Sequence, residues 1–533
     1  MPLIFSPNET LSNFTNAFNG SRPEEIPKDK FKEFLKLHFL AAGIELSNCT
    51  PDGFQDHPKK LMGIRDKHLR EWALQLNGIW KNLCKQMDEK VLKNPEKYSL
   101  LPLKHKFIAP GGRFREPYYW DAYWIIKGLM ASELYDAAKQ MIYNFADYVD
   151  NYGFIPNGGR VYYLQRSQPP LFIPMIYEIY EATKNATFVK EMLPFMEKEF
   201  NYWQESHTYS IKMGRKLYTV YRWRAGSNTP RPESYKEDLT TAAAANATDK
   251  ESQQRIYRDL ASAAESGQDF STRWFADKNS IHTVETTNIL PVDLNSFLCW
   301  NMRILAYFFD QVSTNDIKAD IYRNLLVKHR RAVHAVFYNE KEQMWLDYNI
   351  KEKRHNPTFY ATNSIPLFTH CYNSLDQGKA EDVFNFFNRS HAFDYPGGVP
   401  ASMVKETNEQ WDYPNGWGPI NHMIIEGLRK SAAPPAQDVA FSLATRWVRE
   451  NFNVYKKTGH MWEKYDVAGT VPEPGKGGEY EVQDGFGWTN GAILDLLVTY
   501  ADRITAYDKP PKTNNANIFN LSFVTFFLLF LFI

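Results

Sequence analysis

The chain has 533 residues, 43% hydrophobic and 23% charged, the balance of a folded globular protein rather than a disordered one. Lys+Arg and Asp+Glu are both 62, so the formal net charge is zero and no basic stripe points to nucleic acid. Four cysteines (Cys49, Cys84, Cys299, Cys371) are too few and too scattered for a disulfide scaffold or a zinc site, and read as buried or free thiols with room for one bridge.

Residues 1–30 read as a disordered lead-in. MPLIFSPNETLSNFTNAF is polar and broken by Pro7, and no basic segment precedes an apolar run, so no signal peptide is visible. Residues 31–507 form one domain, with no Ser/Gly linker and no shift in composition. Helical periodicity dominates it. Amphipathic runs lie near 62–88, 118–130, 170–183, 187–204, 250–265, 293–312, 316–337, 376–388, 418–430 and 487–503. Leu134, Ala138, Met141 and Phe145 share one further helical face, as do Val439, Leu443 and Trp447. Lys216–Trp223 is the main β-like exception. About a dozen helices joined by long loops predict an all-α fold, one large α/α toroid rather than several small domains.

A polar spacer, 508–520, leads to an apolar tail, Leu521–Ile533, shorter than the ~20 residues a spanning helix needs. Its place after the polar stretch Asp508–Asn517 resembles a signal exchanged for a glycolipid anchor. Sequons at Asn8, Asn13, Asn19, Asn48, Asn185, Asn246, Asn388 and Asn520 point the same way, to a secreted or cell-surface glycoprotein.

The loops carry the chemistry. Aromatic residues are 15% of the chain, and five loops combine Gly or Pro, aromatic rings and an acid or Arg. They are Pro110–Tyr123 (PGGRFREPYYWDAY), Pro156–Pro170 (PNGGRVYYLQRSQPP), Pro230–Tyr235 (PRPESY), Glu265–Trp274 (ESGQDFSTRW) and Gln410–Pro419 (QWDYPNGWGP). A sixth region, Met461–Asn490, sets acids among Trp, Tyr and Phe. Rings cover the apolar face of a pyranose, while carboxylates, amides and Arg take its hydroxyls. Glycosidic cleavage fits, because it needs one carboxylic acid for the leaving oxygen and one carboxylate for water or carbon. No metal or cofactor is required, and there is no G-x-S-x-G, P-loop or dinucleotide fingerprint. Among Glu116, Asp121, Glu233, Asp269, Asp412, Glu463, Glu479 and Asp484, residue type alone does not separate acid from base.

PGGRFREPYYWDAY and QWDYPNGWGP closely resemble the two signature segments of the trehalase family, inverting enzymes on an (α/α)6 barrel. The resemblance runs from about Phe31 to Tyr500 and implies hydrolysis of α,α-trehalose to two glucose molecules. It assigns the general acid to Asp269 and the base to Glu463. It assigns substrate contacts to Arg113, Trp120, Asp121, Asn157, Arg166, Ser167, Gln168, Arg231, Pro232, Glu233, Gly267 and Glu479. Gln268 replaces the family's usual Trp just before the acid, which puts packing against the leaving sugar in question; Gly159, Gly418 and Glu481 also depart from it. A further family segment before Phe31 is expected, so the N-terminus reads as truncated. Two alternatives stay open: a related glycosidase with another sugar preference, and an inactive sugar-binding homologue. The expected partner is the small sugar alone, with a monomeric enzyme held to the outer membrane face through its tail.

Overall fold

A computed structural model describes residues 1–22, 25–373, 378–431 and 433–508. Twelve helices alternate between an outer and an inner layer. The outer ones are α1 (Lys67–Leu83), α3 (Tyr135–Tyr152), α5 (Ala186–Ser206), α7 (Asp316–Phe337), α9 (Lys379–Arg389) and α11 (Pro434–Thr458). The inner ones are α2 (Asp121–Ala131), α4 (Phe172–Thr183), α6 (Val292–Gln311), α8 (Ile365–Thr369), α10 (Gly418–Arg429) and α12 (Gly487–Thr499). Each inner helix packs on the next, and α12 packs back on α2, so the inner layer is a closed ring of six, the (α/α)6 toroid.

Burial pattern assigns the layers. In α1, Leu69, Trp72, Ala73, Leu76, Trp80 and Leu83 are buried on one stripe, and the Asp66 side chain caps the first turn by accepting from Leu69 N at 3.0 Å. In α2 every residue but Lys127 is buried, as expected of a helix walled in on all sides. The ring closes through glycine. A Cβ on Gly128 of α2 would sit 2.6 Å from the Gly491 Cα of α12, and a Cβ on Gly491 would run into the Trp124 carbonyl. Only residues without side chains allow the two backbones to touch there.

The six aromatic-rich loops gather at one end. Pro110–Trp120 leads into α2, Pro156–Pro170 into α4, Gln410–Trp417 into α10 and Met461–Phe486 into α12. The long excursion between α5 and α6 carries Arg231 and Asp269. Each segment runs from an outer helix to the N-terminus of an inner one, and all of them meet at the same mouth.

The structure corrects several expectations. The described part of residues 1–30 is not a disordered lead-in. It contains a helix, Pro7–Phe18, and the start of another, Lys28–His38. Ser6 caps the first through Glu9 N at 3.2 Å, and Phe14 and Phe18 pack on Phe34 with ring centroids 5.4 and 5.7 Å apart. The run near 62–88 stops at Leu83, because Cys84–Met87 enters a three-stranded sheet between Leu46–Asn48 and Phe107–Ile108. The β-like stretch ends at Tyr221 and pairs with Thr208–Met213 as a hairpin. The cysteines form two disulfides, Cys49–Cys84 and Cys299–Cys371, and leave no free thiol. The tail Leu521–Ile533, and the spacer beyond Asp508, lie outside the described residues. Among the described residues no helix is long and apolar enough to cross a membrane.

Candidate active site

The loops enclose a cleft of about 1010 Å³. Arg113, Trp120, Asp121, Asn157, Arg166, Gln168, Arg231, Glu233, Gly267, Asp269, Glu463 and Glu479 all line it. Ser167 and Pro232 do not. The Ser167 hydroxyl donates to the Ile155 carbonyl at 2.7 Å and its N–H to Glu265 at 3.0 Å, so this buried residue holds the loop rather than the cleft. Pro232 starts the turn Pro232–Ser234 between two lining neighbours and has neither an N–H nor a polar side chain to offer.

Asp269 sits on a loop braced from beneath. Asp412 accepts from Ser271 Oγ and Thr272 N, both at 2.9 Å, and Gln410 Nε2 donates to the Asp269 carbonyl at 2.6 Å. Two residues earlier the chain turns at Gly267, with φ +76°, where a Cβ would lie 2.7 Å from the Trp120 ring. Only glycine brings the acid's loop this close to the tryptophan. Burial pushes the Asp269 carboxyl up to about 7, aided by Glu479 and opposed by Arg231 and Arg166.

Glu463 is buried on the facing loop. Its N–H donates to the Gln483 carbonyl at 2.9 Å, and Trp488 Nε1 donates to its carbonyl at 3.0 Å. Tyr480 donates its hydroxyl to Oε1 at 2.7 Å, while buried Oε2 has no protein partner. One oxygen is thus fixed and the other left to take a proton. Burial raises this carboxyl above its usual range, against the pull of Lys464, the Tyr480 hydroxyl and Arg113. Asp121, at the start of α2, is pushed to about 8 by burial and by the charges of Glu463 and Asp269.

The three arginines differ. Arg231 is 2% exposed and donates to both carboxylate oxygens of Asp238, with Nη2 to Oδ1 at 2.7 Å, and to Glu479 at 3.2 Å. Arg166 donates Nε to Asn157 Oδ1 at 2.8 Å and Nη2 to Glu233. Burial works against the Glu233 carboxylate, but Arg166 and Arg231 outweigh it and hold it below its usual range. Arg113 is exposed and, among the described residues, has no carboxylate partner; its guanidinium lies 4.8 Å from the Tyr480 ring.

Of the other candidate carboxylates, Glu116 lines the cleft but is tied to Arg160 at 3.4 Å, and Asp484 pairs with His460 at 2.8 Å. Asp412 is spent on the acid's loop. Gln268 faces away from the cleft: its Oε1 accepts from Arg273 Nη1 at 3.2 Å, in the cluster where Arg273 meets Asp293 and Asp347. Sequence reading missed Tyr480, Gln410 and Lys464. Each lies inside a loop already singled out, next to or near an acid that drew the attention. Rings of Trp120, Trp411, Trp417 and Trp488 floor the cleft, with Trp411 and Trp417 stacked at 3.8 Å. Two buried carboxyls and paired guanidiniums over an aromatic floor suit acid–base cleavage of a polyhydroxylated substrate.

A family model described as "Trehalase" matches residues 1–501. The chain is 41% identical to the trehalase of Homo sapiens over 509 residues, covering 95% of this chain and 86% of that protein. It is 41% identical to the trehalase of Apis mellifera over 520 residues, covering 96% and 82%. The neutral trehalase of Saccharomyces cerevisiae has a similar fold, with a TM-score of 0.62 and 22% identity over 78% of this chain and 80% of that one. The match starts at residue 1, so the matched region includes the two N-terminal helices and not only the chain from Phe31.

Proposed function

Because the chain belongs to the trehalase family, we infer that it hydrolyses α,α-trehalose to two glucose molecules, with inversion at the attacked anomeric carbon. The observation that carries the mechanism is the placement of two buried carboxyls, Asp269 and Glu463, in one cleft. Asp269, pushed up to about 7, holds a proton near neutral pH and donates it to the glycosidic oxygen as the bond breaks. Glu463, with Oε1 held by Tyr480, takes a proton at Oε2 from the water that attacks the opposite face of the ring. Arg113, Arg166, Arg231, Asp121 and Glu479 orient the sugar hydroxyls, and Trp120 covers a ring face.

The cleft supports an active enzyme over an inactive binder, since both carboxyls line it. A changed sugar preference through Gln268 finds no support, because that side chain faces Arg273. Proton NMR during early turnover tests the mechanism. One glucose is expected first as the β anomer and the other as α; two α products would overturn it.

We also propose that the enzyme works as a monomer outside the cell, with Leu521–Ile533 removed in exchange for a glycolipid at a small residue near 514–516. Two disulfides and the sequons support an oxidising, secretory route. An apolar tail too short to span would otherwise expose a sticky patch. A phosphatidylinositol-specific phospholipase is expected to release the enzyme from membranes as a monomer by sedimentation. Enzyme that stays bound, or is soluble with its tail intact, would refute the anchor.

A further inference from the structure

Lys464 follows the base in sequence and is fully buried. Its ammonium donates to Gln410 Oε1 at 2.7 Å and to the Gly477 carbonyl at 2.8 Å, and lies 5.3 Å from the Trp417 ring. Both acceptors are neutral, and among the described residues no carboxylate lies within ion-pair distance of it. A buried cation without a counter-ion costs several kcal/mol, and a lysine used only to tie two carbonyls is poorly served by its charge. The titratable groups that face it are Glu463, Asp269 and the Tyr480 ring. The site's other buried cations are already spent, Arg231 on Asp238 and Glu479 and Arg166 on Glu233.

We propose that Lys464 is a positioning residue that carries the counter-charge of the Asp269–Glu463 pair, and that Gln410 fixes it to the acid's loop. The proposal rests on the acid–base reading above. In that reading the pair begins as protonated Asp269 and ionised Glu463. It ends as ionised Asp269 and protonated Glu463, one proton having gone to the leaving oxygen and one having come from water. The pair bears a single negative charge in both states; only its location changes. One fixed cation, next to Glu463 in the chain and tied through Gln410 to the loop of Asp269, therefore balances the start and the end of the step without moving, which is electrostatic preorganisation. Gln410 links the two halves, because its Oε1 accepts from Lys464 while its Nε2 donates to the Asp269 carbonyl. Lys464 is also the first of the influences that pull the Glu463 carboxyl back toward ionisation, and burial holds the lysine itself down to about 8.

The test is the pH profile of kcat/KM on trehalose for wild type, Lys464→Met, Lys464→Gln and Glu463→Gln, with KM and melting temperature measured in parallel. Without the cation Glu463 is harder to ionise, so the acid limb should move up by about one pH unit in both Lys464 variants. At about pH 6 kcat should fall ~10-fold or more, with KM changed less than about threefold. Lys464→Gln keeps a donor for the Gln410 oxygen, and so carries the test if Lys464→Met does not fold. An acid limb that stays in place, with activity lost only in step with melting temperature, overturns the proposal, as does failure of both variants to fold, since the lysine is then a structural tie. Near-normal turnover in Glu463→Gln would instead show that the acid–base reading itself is wrong.

Discussion

Asp269→Asn keeps the shape of the acid but removes its charge, and the two consequences run in opposite directions. An ordinary aspartate at 3.8 would hold its proton less than about 1% of the time at pH 6, whereas a group at about 7 holds it about 90% of the time. That proton drives leaving-group departure, so kcat is expected to fall by ~10²–10⁴. Stability moves the other way. The folded state binds the proton more tightly than the unfolded one, so the contribution of Asp269 to stability is fully present below about 3.8, is lost as pH climbs toward about 7, and stays absent above it. The gap is about three pH units at ~1.4 kcal/mol each, or about 4 kcal/mol. Asn never ionises and avoids that loss. For roughly 500 folded residues the unfolding entropy is about 1 kcal/mol per degree, so the variant should melt ~4 °C above wild type at about pH 8 and within ~1 °C of it at about pH 4. Calorimetry at the two pH values, with glucose release alongside, checks both halves. A variant no more stable than wild type at the higher pH, or one with near-normal turnover, refutes the assignment.

The arginines should separate. Arg113→Lys is expected to cut kcat/KM at least ~10-fold with an unchanged melting temperature, whereas Arg231→Lys, losing the fork on Asp238, should lose activity and melt lower as well; equal melting losses would show that Arg113 is structural too. Tyr480→Phe removes the donor to Glu463 Oε1, so the acid limb of kcat/KM should rise and kcat drop about tenfold; an unmoved limb would exclude the tyrosine from tuning the base. Gly491→Ala forces α12 off Trp124 and should cost more than about 2 kcal/mol in chemical denaturation. Reduction of Cys49–Cys84 and Cys299–Cys371, which close loops of 35 and 72 residues, should lower stability by ~4 kcal/mol each on the loop-entropy model; a melt indifferent to reductant would speak against both bridges.

The toroid was legible because its helices carry long apolar stripes, from the Leu69–Leu83 face to the nearly unbroken run of α12. Pro7–Phe18 was not, since Asn, Ser and Thr fill half of it and its two rings, Phe14 and Phe18, pack on each other and on Phe34 of the next helix rather than on a long apolar stripe. The disulfides were illegible for a related reason: spacing says nothing of which sheet or helix ends will meet. At the site, charge and ring content located the loops, and the family resemblance picked out the twelve residues that line the cleft. The same likeness swept in Ser167 and Pro232, because it follows consecutive positions whereas a loop turns alternate residues toward and away from its cavity. Lys464 escaped by the converse error. Beside an acid in sequence it reads as that acid's surface partner, and nothing in WEKYD says that it is buried with Gln410.

The glycine contact between Gly128 and Gly491 has a consequence for synthesis on the ribosome. It joins the first inner helix to the last, so the seam is the final piece of the ring to be made. A nascent chain that has emerged only through α10 already holds Asp121 and Asp269 but neither Glu463 nor the helix that seals α2. The cleft is complete only once α12 has docked on α2 and brought Trp488 to its floor. A chain ending before Gly487 would keep Asp269 and Glu463 but lack both the sealing helix and that ring.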